Sequence, residues 1–118
     1  MKTILITTLL FLTSNLFAQK AIYTDNDGDG IIEYTLVSKD GKIQERGFYL
    51  NGKMTGSWVS YSSNGKKSVV AKFKNGEKHG TWFFYDEKGR ITLEVVYKDN
   101  RKVSASQHRY ASNWWLFE

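Results

Sequence analysis

A 24-residue repeat constrains this chain more than any other feature. Residues 51–65 read NGKMTGSWVSYSSNG and residues 75–89 read NGEKHGTWFFYDEKG, the same frame written again 24 positions later. Tyr49, Phe73 and Tyr97 align, as do Asn51, Asn75 and Asp99. Gly52 matches Gly76, Gly56 matches Gly80, Trp58 matches Trp82, Tyr61 matches Tyr85 and Gly65 matches Gly89. One period earlier stands a worn unit, with Asp27-Gly28 at the asparagine-glycine position, Tyr34 at the tryptophan, Val37 at the tyrosine and Gly41 at the last glycine. A unit this short cannot bury a hydrophobic face alone, so neighbouring units must supply its partners.

Between the glycines the apolar period is two. Val69, Ala71 and Phe73 alternate with Val70, Lys72 and Lys74, and Leu93, Val95 and Tyr97 alternate with Glu94, Val96 and Lys98. Such alternation marks strands with one drier face. The asparagine-glycine pairs tolerate the positive φ that two-residue hairpin turns require, and Asn64-Gly65 is expected to do the same at the other end of the unit. Each unit is therefore strand, turn, strand, turn, and the expected fold is all-β: an antiparallel single-sheet meander of hairpins. Gly56 and Gly80 are expected to be bulges or to leave room for an aromatic ring. Tryptophan and tyrosine at equivalent positions are expected to stack into ladders across the sheet.

The first residues, MKTILITTLLFLTSNLFAQ, carry one lysine, an apolar run from Ile4 to Leu12 and a small residue at Ala18. That order reads as a secretory signal peptide over residues 1–18, and the run is shorter than a membrane span. Its removal would leave 100 residues, one small domain, with net charge falling from +5 to +4 through loss of Lys2. The expected location is the periplasm or outside the cell. The chain has no cysteine, so disulfides play no part in its stability. A modest positive charge favours solubility and mild attraction to anionic surfaces without implying nucleic-acid binding, which export also disfavours.

The frame Y/F-x-N-G-x-x-x-G-x-W-x-x-Y-x-x-x-G resembles the MORN-repeat variant of bacteria, found in proteins labelled as YwqK-like antitoxin components. The matching residues run from Tyr49 to Gly65 and from Phe73 to Gly89; the third unit keeps Tyr97 and Asp99 but loses the glycines and the tryptophan. The resemblance covers about residues 46–102. It implies a row of hairpins acting as scaffold or interaction platform, sometimes against membranes, and the antitoxin label implies a protein partner inside a cell, which a leader peptide contradicts. It implies no catalytic residue. On this reading residues 19–45 hold an acidic loop and the worn unit, and 103–118 form an aromatic C-terminal cap.

Four candidate sites stand out. Asp25-Asn26-Asp27-Gly28-Asp29-Gly30-Ile31-Ile32-Glu33 has the form D-x-D-x-D-G-x-x-E, in which alternate carboxylates and a glycine can wrap oxygens around a hard cation. Asp25, Asp27 and Asp29 would be side-chain ligands to calcium, Ile31 a backbone ligand and Glu33 a direct or water-mediated one. The loop resembles the calcium loops of secreted thrombospondin type 3 and FG-GAP modules, and departs from the EF-hand with Leu36 at its twelfth position. The competing expectation is a plain hairpin turn at Asp27-Gly28. Trp58, Tyr61, Trp82 and Tyr85 suit core packing first and a glycan- or peptide-binding strip second. Trp114 and Trp115, in the apolar stretch WWLF, suit a capping strand first and a docking or membrane-interface segment second. Lysines and arginines at turn ends and on the polar face, such as Lys66, Lys72, Lys74 and Lys98, suit solvated protection of the sheet first, and contact with anionic lipid or polysaccharide second. His79 and His108 occupy positions without a repeated acid or nucleophile, so the expected role is non-catalytic: binding or scaffolding at the cell envelope. The alternatives are an immunity-type inhibitor of one protein and a peripheral membrane binder. Two open edges and one dry face leave room for self-association.

Overall fold

The computed structural model describes residues 19–110. Nine strands run in chain order: β1 Gln19–Thr24, β2 Ile31–Ser38, β3 Ile43–Leu50, β4 Lys53–Tyr61, β5 Lys67–Lys74, β6 Glu77–Lys78, β7 Gly80–Tyr85, β8 Ile91–Lys98 and β9 Arg101–Gln107. All belong to one antiparallel sheet in the order β1-β2-β3-β4-β5-β7-β8-β9, with the two-residue β6 also on β5. The fold is all-β, a single open meander, as the alternation and punctuation of the sequence require. The expected leader, residues 1–18, lies outside the described residues. Of the expected C-terminal cap, residues 103–107 belong to edge strand β9, while 111–118, with Trp114 and Trp115, lie outside the described residues.

The two ends of the sheet turn by different devices. At one end Asn51-Gly52 and Asn75-Gly76 hold φ of 51° and 75°, and of 51° and 79°, the paired left-handed values of a two-residue I′ turn. Asp99-Asn100 keeps the same geometry at 47° and 69° without a glycine, so the worn third unit still turns on the repeat's schedule. At the other end Gly65 turns with φ 82°, but Asn64 does not share the left-handed region. The Gly65 amide donates to Ser62 O, and Ser62 and Lys66 pair across a three-residue loop. The expectation of a two-residue turn at Asn64-Gly65 is therefore corrected: only the glycine needs positive φ, the pattern of a type I turn closed by a left-handed residue. The same amide-to-carbonyl bonds recur at Ser38–Lys42 and Asp86–Arg90, 24 residues to either side.

Gly56 and Gly80 are bulges, with φ of 66° and 79°. Open space surrounds Gly56 where a Cβ would stand, so its lack of a side chain serves the backbone and not a neighbouring ring. The room for a ring is at Gly47 in mid-β3, where a Cβ would fall 2.1 Å from Trp58 Cδ2. Gly47, Ala71 and Val95 are 24 residues apart and all buried.

No second layer covers the sheet among the described residues. The buried hydrophobic side chains are Trp58, Ala71 and Val95, at 5%, 6% and 5% exposure. Within this layer the stabilising unit is the cross-strand pair, each contributing about 0.2–1 kcal/mol.

Candidate binding surfaces

The ladder face is built by register. β3 and β4, then β5 and β7, place Tyr49, Trp58, Phe73 and Trp82 in succession, with Tyr34 before and Tyr97 after. Ring centroids stand 5.4 Å apart for Tyr34 and Trp58, 5.0 Å for Tyr49 and Trp58, 6.2 Å for Trp58 and Phe73, 5.2 Å for Phe73 and Trp82, and 5.0 Å for Trp82 and Tyr97. Such pairs contribute about 0.5–1.5 kcal/mol each beyond area burial. Trp58 Nε1 donates to Phe48 O at 3.1 Å and Trp82 Nε1 to Lys72 O at 3.0 Å, one bond repeated after 24 residues. The partners of the tryptophans are thus the first aromatic of the frame, Tyr49, Phe73 and Tyr97. Tyr61 and Tyr85 stand outside the ladder: Tyr61 lines a surface cleft with Ile43 and the Ser62–Gly65 turn, and Tyr85 pairs with Ile91 on β8. Burial raises the Tyr34 and Tyr49 hydroxyl pKa values above the ordinary 10, with the Glu45 carboxylate and neighbouring tyrosines adding to the effect.

The acidic loop joins β1 to β2 over six residues, too long for the two-residue turn that Asp27-Gly28 would make alone. Gly28 and Gly30 take φ of 66° and 84°. Asp25 Oδ1 accepts the Gly28 amide at 2.9 Å, and Asp29 Oδ1 accepts the Ile31 amide at 2.9 Å. Glu33 accepts from Asn26 Nδ2 at 3.1 Å and from the Arg46 guanidinium on β3. The Arg46 hydrogen bond holds the Glu33 carboxyl below the ordinary 4.5, and the guanidinium is held charged in return. Within the described residues no three carboxylate or histidine side chains gather where one ion could bind them. As arranged, Asp25, Asp29 and Glu33 organise the loop through amide, Asn26 and Arg46 contacts, a different use of the same oxygens from the converging ligand set that calcium needs.

Against this loop, on the face opposite the ladder, lies an open cleft of about 480 Å³ lined by Asp27, Asp29, Ile31, Glu33, Phe48 and Ser57, among others. Ile31 pairs with Leu50 across β2 and β3, and Glu33 pairs with Phe48. Ile31, Phe48 and Leu50 remain 38%, 37% and 37% exposed. This apolar group with carboxylates at its rim was not legible as a site, because Ile31, Phe48 and Leu50 belong to different worn or variable positions. Only the β2–β3 register brings them together.

His108 Nε2 stands 3.8 Å from Glu94 Oε2, both part-exposed and beyond hydrogen-bond reach. The His79 amide donates to Lys72 O at 3.0 Å, a backbone role at the Gly80 bulge. No helix among the described residues is long and apolar enough to cross a membrane.

No family model matches the chain, and no curated protein does. Among solved structures, the crystal structure of TarM is similar over 79% of this chain and 24% of that one, at 14% identity and a TM-score of 0.38. A mutant of S. aureus TarM in complex with fondaparinux, alpha-GlcNAc-glycerol and UDP is similar over 85% of this chain and 22% of that one, at 16% identity and a TM-score of 0.25. The chain spans about a quarter of the length of these structures, and likenesses at such scores carry no argument about its activity.

Proposed function

We propose that this chain is an exported, non-catalytic binding module of the MORN-like repeat type, acting at the cell envelope through the face opposite its aromatic ladder. The observation that carries the reading is the exposed group Ile31, Phe48 and Leu50 beside a cleft rimmed by Asp27 and Asp29. Large apolar side chains held on rigid strands at the edge of a concave, polar-rimmed surface are the usual anchors of protein recognition. The rim is acidic, so the fitting partner is a protein segment presenting an apolar side chain flanked by lysine or arginine. Among the described residues the His108 imidazole stands 3.8 Å from the Glu94 carboxylate, beyond hydrogen-bond reach, which favours binding over catalysis.

The test is a photo-crosslinking residue placed at Phe48, with Tyr61 as a control near the opposite end of the sheet, in the full chain within the cell that exports it. One defined protein crosslinked from Phe48 and not from Tyr61 is expected. Equal capture from both positions, or none, contradicts the reading. If the captured protein is an enzyme or toxin whose activity the purified chain abolishes at equal stoichiometry, the module is an immunity-type inhibitor.

A further inference from the structure

The ladder face differs in character from the cleft face, where Ile31, Phe48 and Leu50 stand exposed. Phe73, Ala71 and Val69 stand on it along β5, while Lys72 and Lys74 point the other way; Val95 and Tyr97 stand on it along β8, while Glu94 and Lys98 point away. Glu45 is on it, with Lys78 and Lys102 at its rim, where the Lys78 ammonium lies 5.3 Å from the Trp82 ring and 5.1 Å from the Tyr97 ring. Its centre carries a groove between Trp58, Ser60, Val69, Ala71, Phe73 and Trp82. Among the described residues, a single sheet with three buried hydrophobic side chains lacks the second layer that stable β domains use.

We infer that a second copy of this chain supplies that layer, the two ladder faces meeting about a two-fold axis as a back-to-back dimer. Area decides first. Eight strands at spacings of about 4.8 Å and about six residues of about 3.3 Å give a face of roughly 650 Å² per copy. Two copies then bury about 1,300 Å², within the range of a stable specific interface. Charge decides next. A membrane surface would be met by a ring of cations, but this face carries Lys78 and Lys102 at its rim with Glu45 among its residues, while Lys72, Lys74 and Lys98 project from the opposite side. Joining ladder to ladder buries few charges and turns both clefts outward, giving a bivalent module. The inference is independent of what the cleft binds.

The test is sedimentation of the full chain, expressed with residues 1–18 in place and purified as the cell delivers it, at 1 to 100 µM. A dimer is expected. Val69→Lys, on the ladder face, is expected to raise the dimer Kd about 100-fold, since the symmetric contact counts each charge twice. Val70→Lys, one residue along on the other face, should leave Kd within about threefold. Because Val69→Lys removes an apolar side chain that folding uses, Ser60→Lys adds the charge at the groove without that loss and should dissociate the dimer too. A wild-type monomer at 100 µM overturns the inference, and flotation of that monomer with anionic vesicles would assign the face to lipid. A dimer that survives both Ser60→Lys and Val69→Lys also overturns it, in favour of edge pairing.

Discussion

Trp58 and Trp82 occupy the same position in successive units and make the same indole bond to a backbone carbonyl, yet Trp58 is buried and Trp82 is only half-buried. Two differences on the preceding strands account for this. Trp58 lies over Gly47, where no Cβ intervenes; by the repeat, the residue beneath Trp82 is Ala71. Trp58 also touches three rings, Tyr34, Tyr49 and Phe73, whereas Trp82 touches Phe73 and Tyr97. A repeat frame therefore fixes backbone and bond, while the small residue beneath each ring sets how deep the ring sits.

The largest expected effect breaks this comparison directly. Trp58→Ala should destabilise the fold by about 3–5 kcal/mol and Trp82→Ala by about 2 kcal/mol less, as read from denaturant midpoints, because truncation scales with packing lost. Equal losses would mean that burial depth does not matter here.

Acid probes one contact from the worn first unit and one from a full unit. Glu33 is held below 4.5 chiefly by the Arg46 hydrogen bond, and Asp86 below 3.8 chiefly by the Arg90 amide, with the Arg90 side chain and the Lys88 amide assisting. A carboxyl with a lowered folded-state pKa binds fewer protons folded than unfolded. Its stabilisation is complete above the ordinary carboxylate range and declines as pH falls through the folded value. Both groups are part-exposed, so the expected loss below about pH 4.5 is small. Unfolding midpoints measured between pH 6 and 2.5 should fall less steeply for Glu33→Gln and for Asp86→Asn than for the wild type.

Smaller effects come from restoring or testing the worn ends. Asn100→Gly returns the third I′ turn to the glycine of the full units at φ 69°, and should raise stability by about 0.5 kcal/mol in the same denaturant assay. Calcium at 1 mM should leave the melting temperature unchanged relative to chelator, because Asp25, Asp29 and Glu33 are engaged within the loop and with Arg46. A rise would show that the loop rearranges into an ion site, since a ligand preferring the native state stabilises it.

Much of this was legible beforehand. The 24-residue period, the apolar alternation and the Asn-Gly pairs specified the meander and its I′ turns through local backbone preference alone. Gly47 was not legible, because its aligned partners, Ala71 and Val95, differ from it and read as strand interior. Its meaning is a contact across the β3–β4 register, which spacing within one strand does not encode. The ladder was read with Tyr61 and Tyr85 as companions of the tryptophans. The bulges at the Ser60/Tyr61 and Phe84/Tyr85 steps fall beside these tyrosines, and the tryptophans meet the first aromatic of the frame instead. The acidic loop shows the limit of composition. Alternate aspartates satisfy a calcium spacing and a hydrogen-bonded turn equally well until the partners of each oxygen are known.

The most direct measurement of the central claim is a double-mutant cycle between Gly47→Ala and Trp58→Leu, followed by urea unfolding. If the Trp58 ring occupies the space above Gly47, the added methyl should destabilise the wild type by about 2 kcal/mol and the Trp58→Leu chain by far less, giving a coupling above about 1 kcal/mol. Equal costs of Gly47→Ala in both backgrounds would contradict the account.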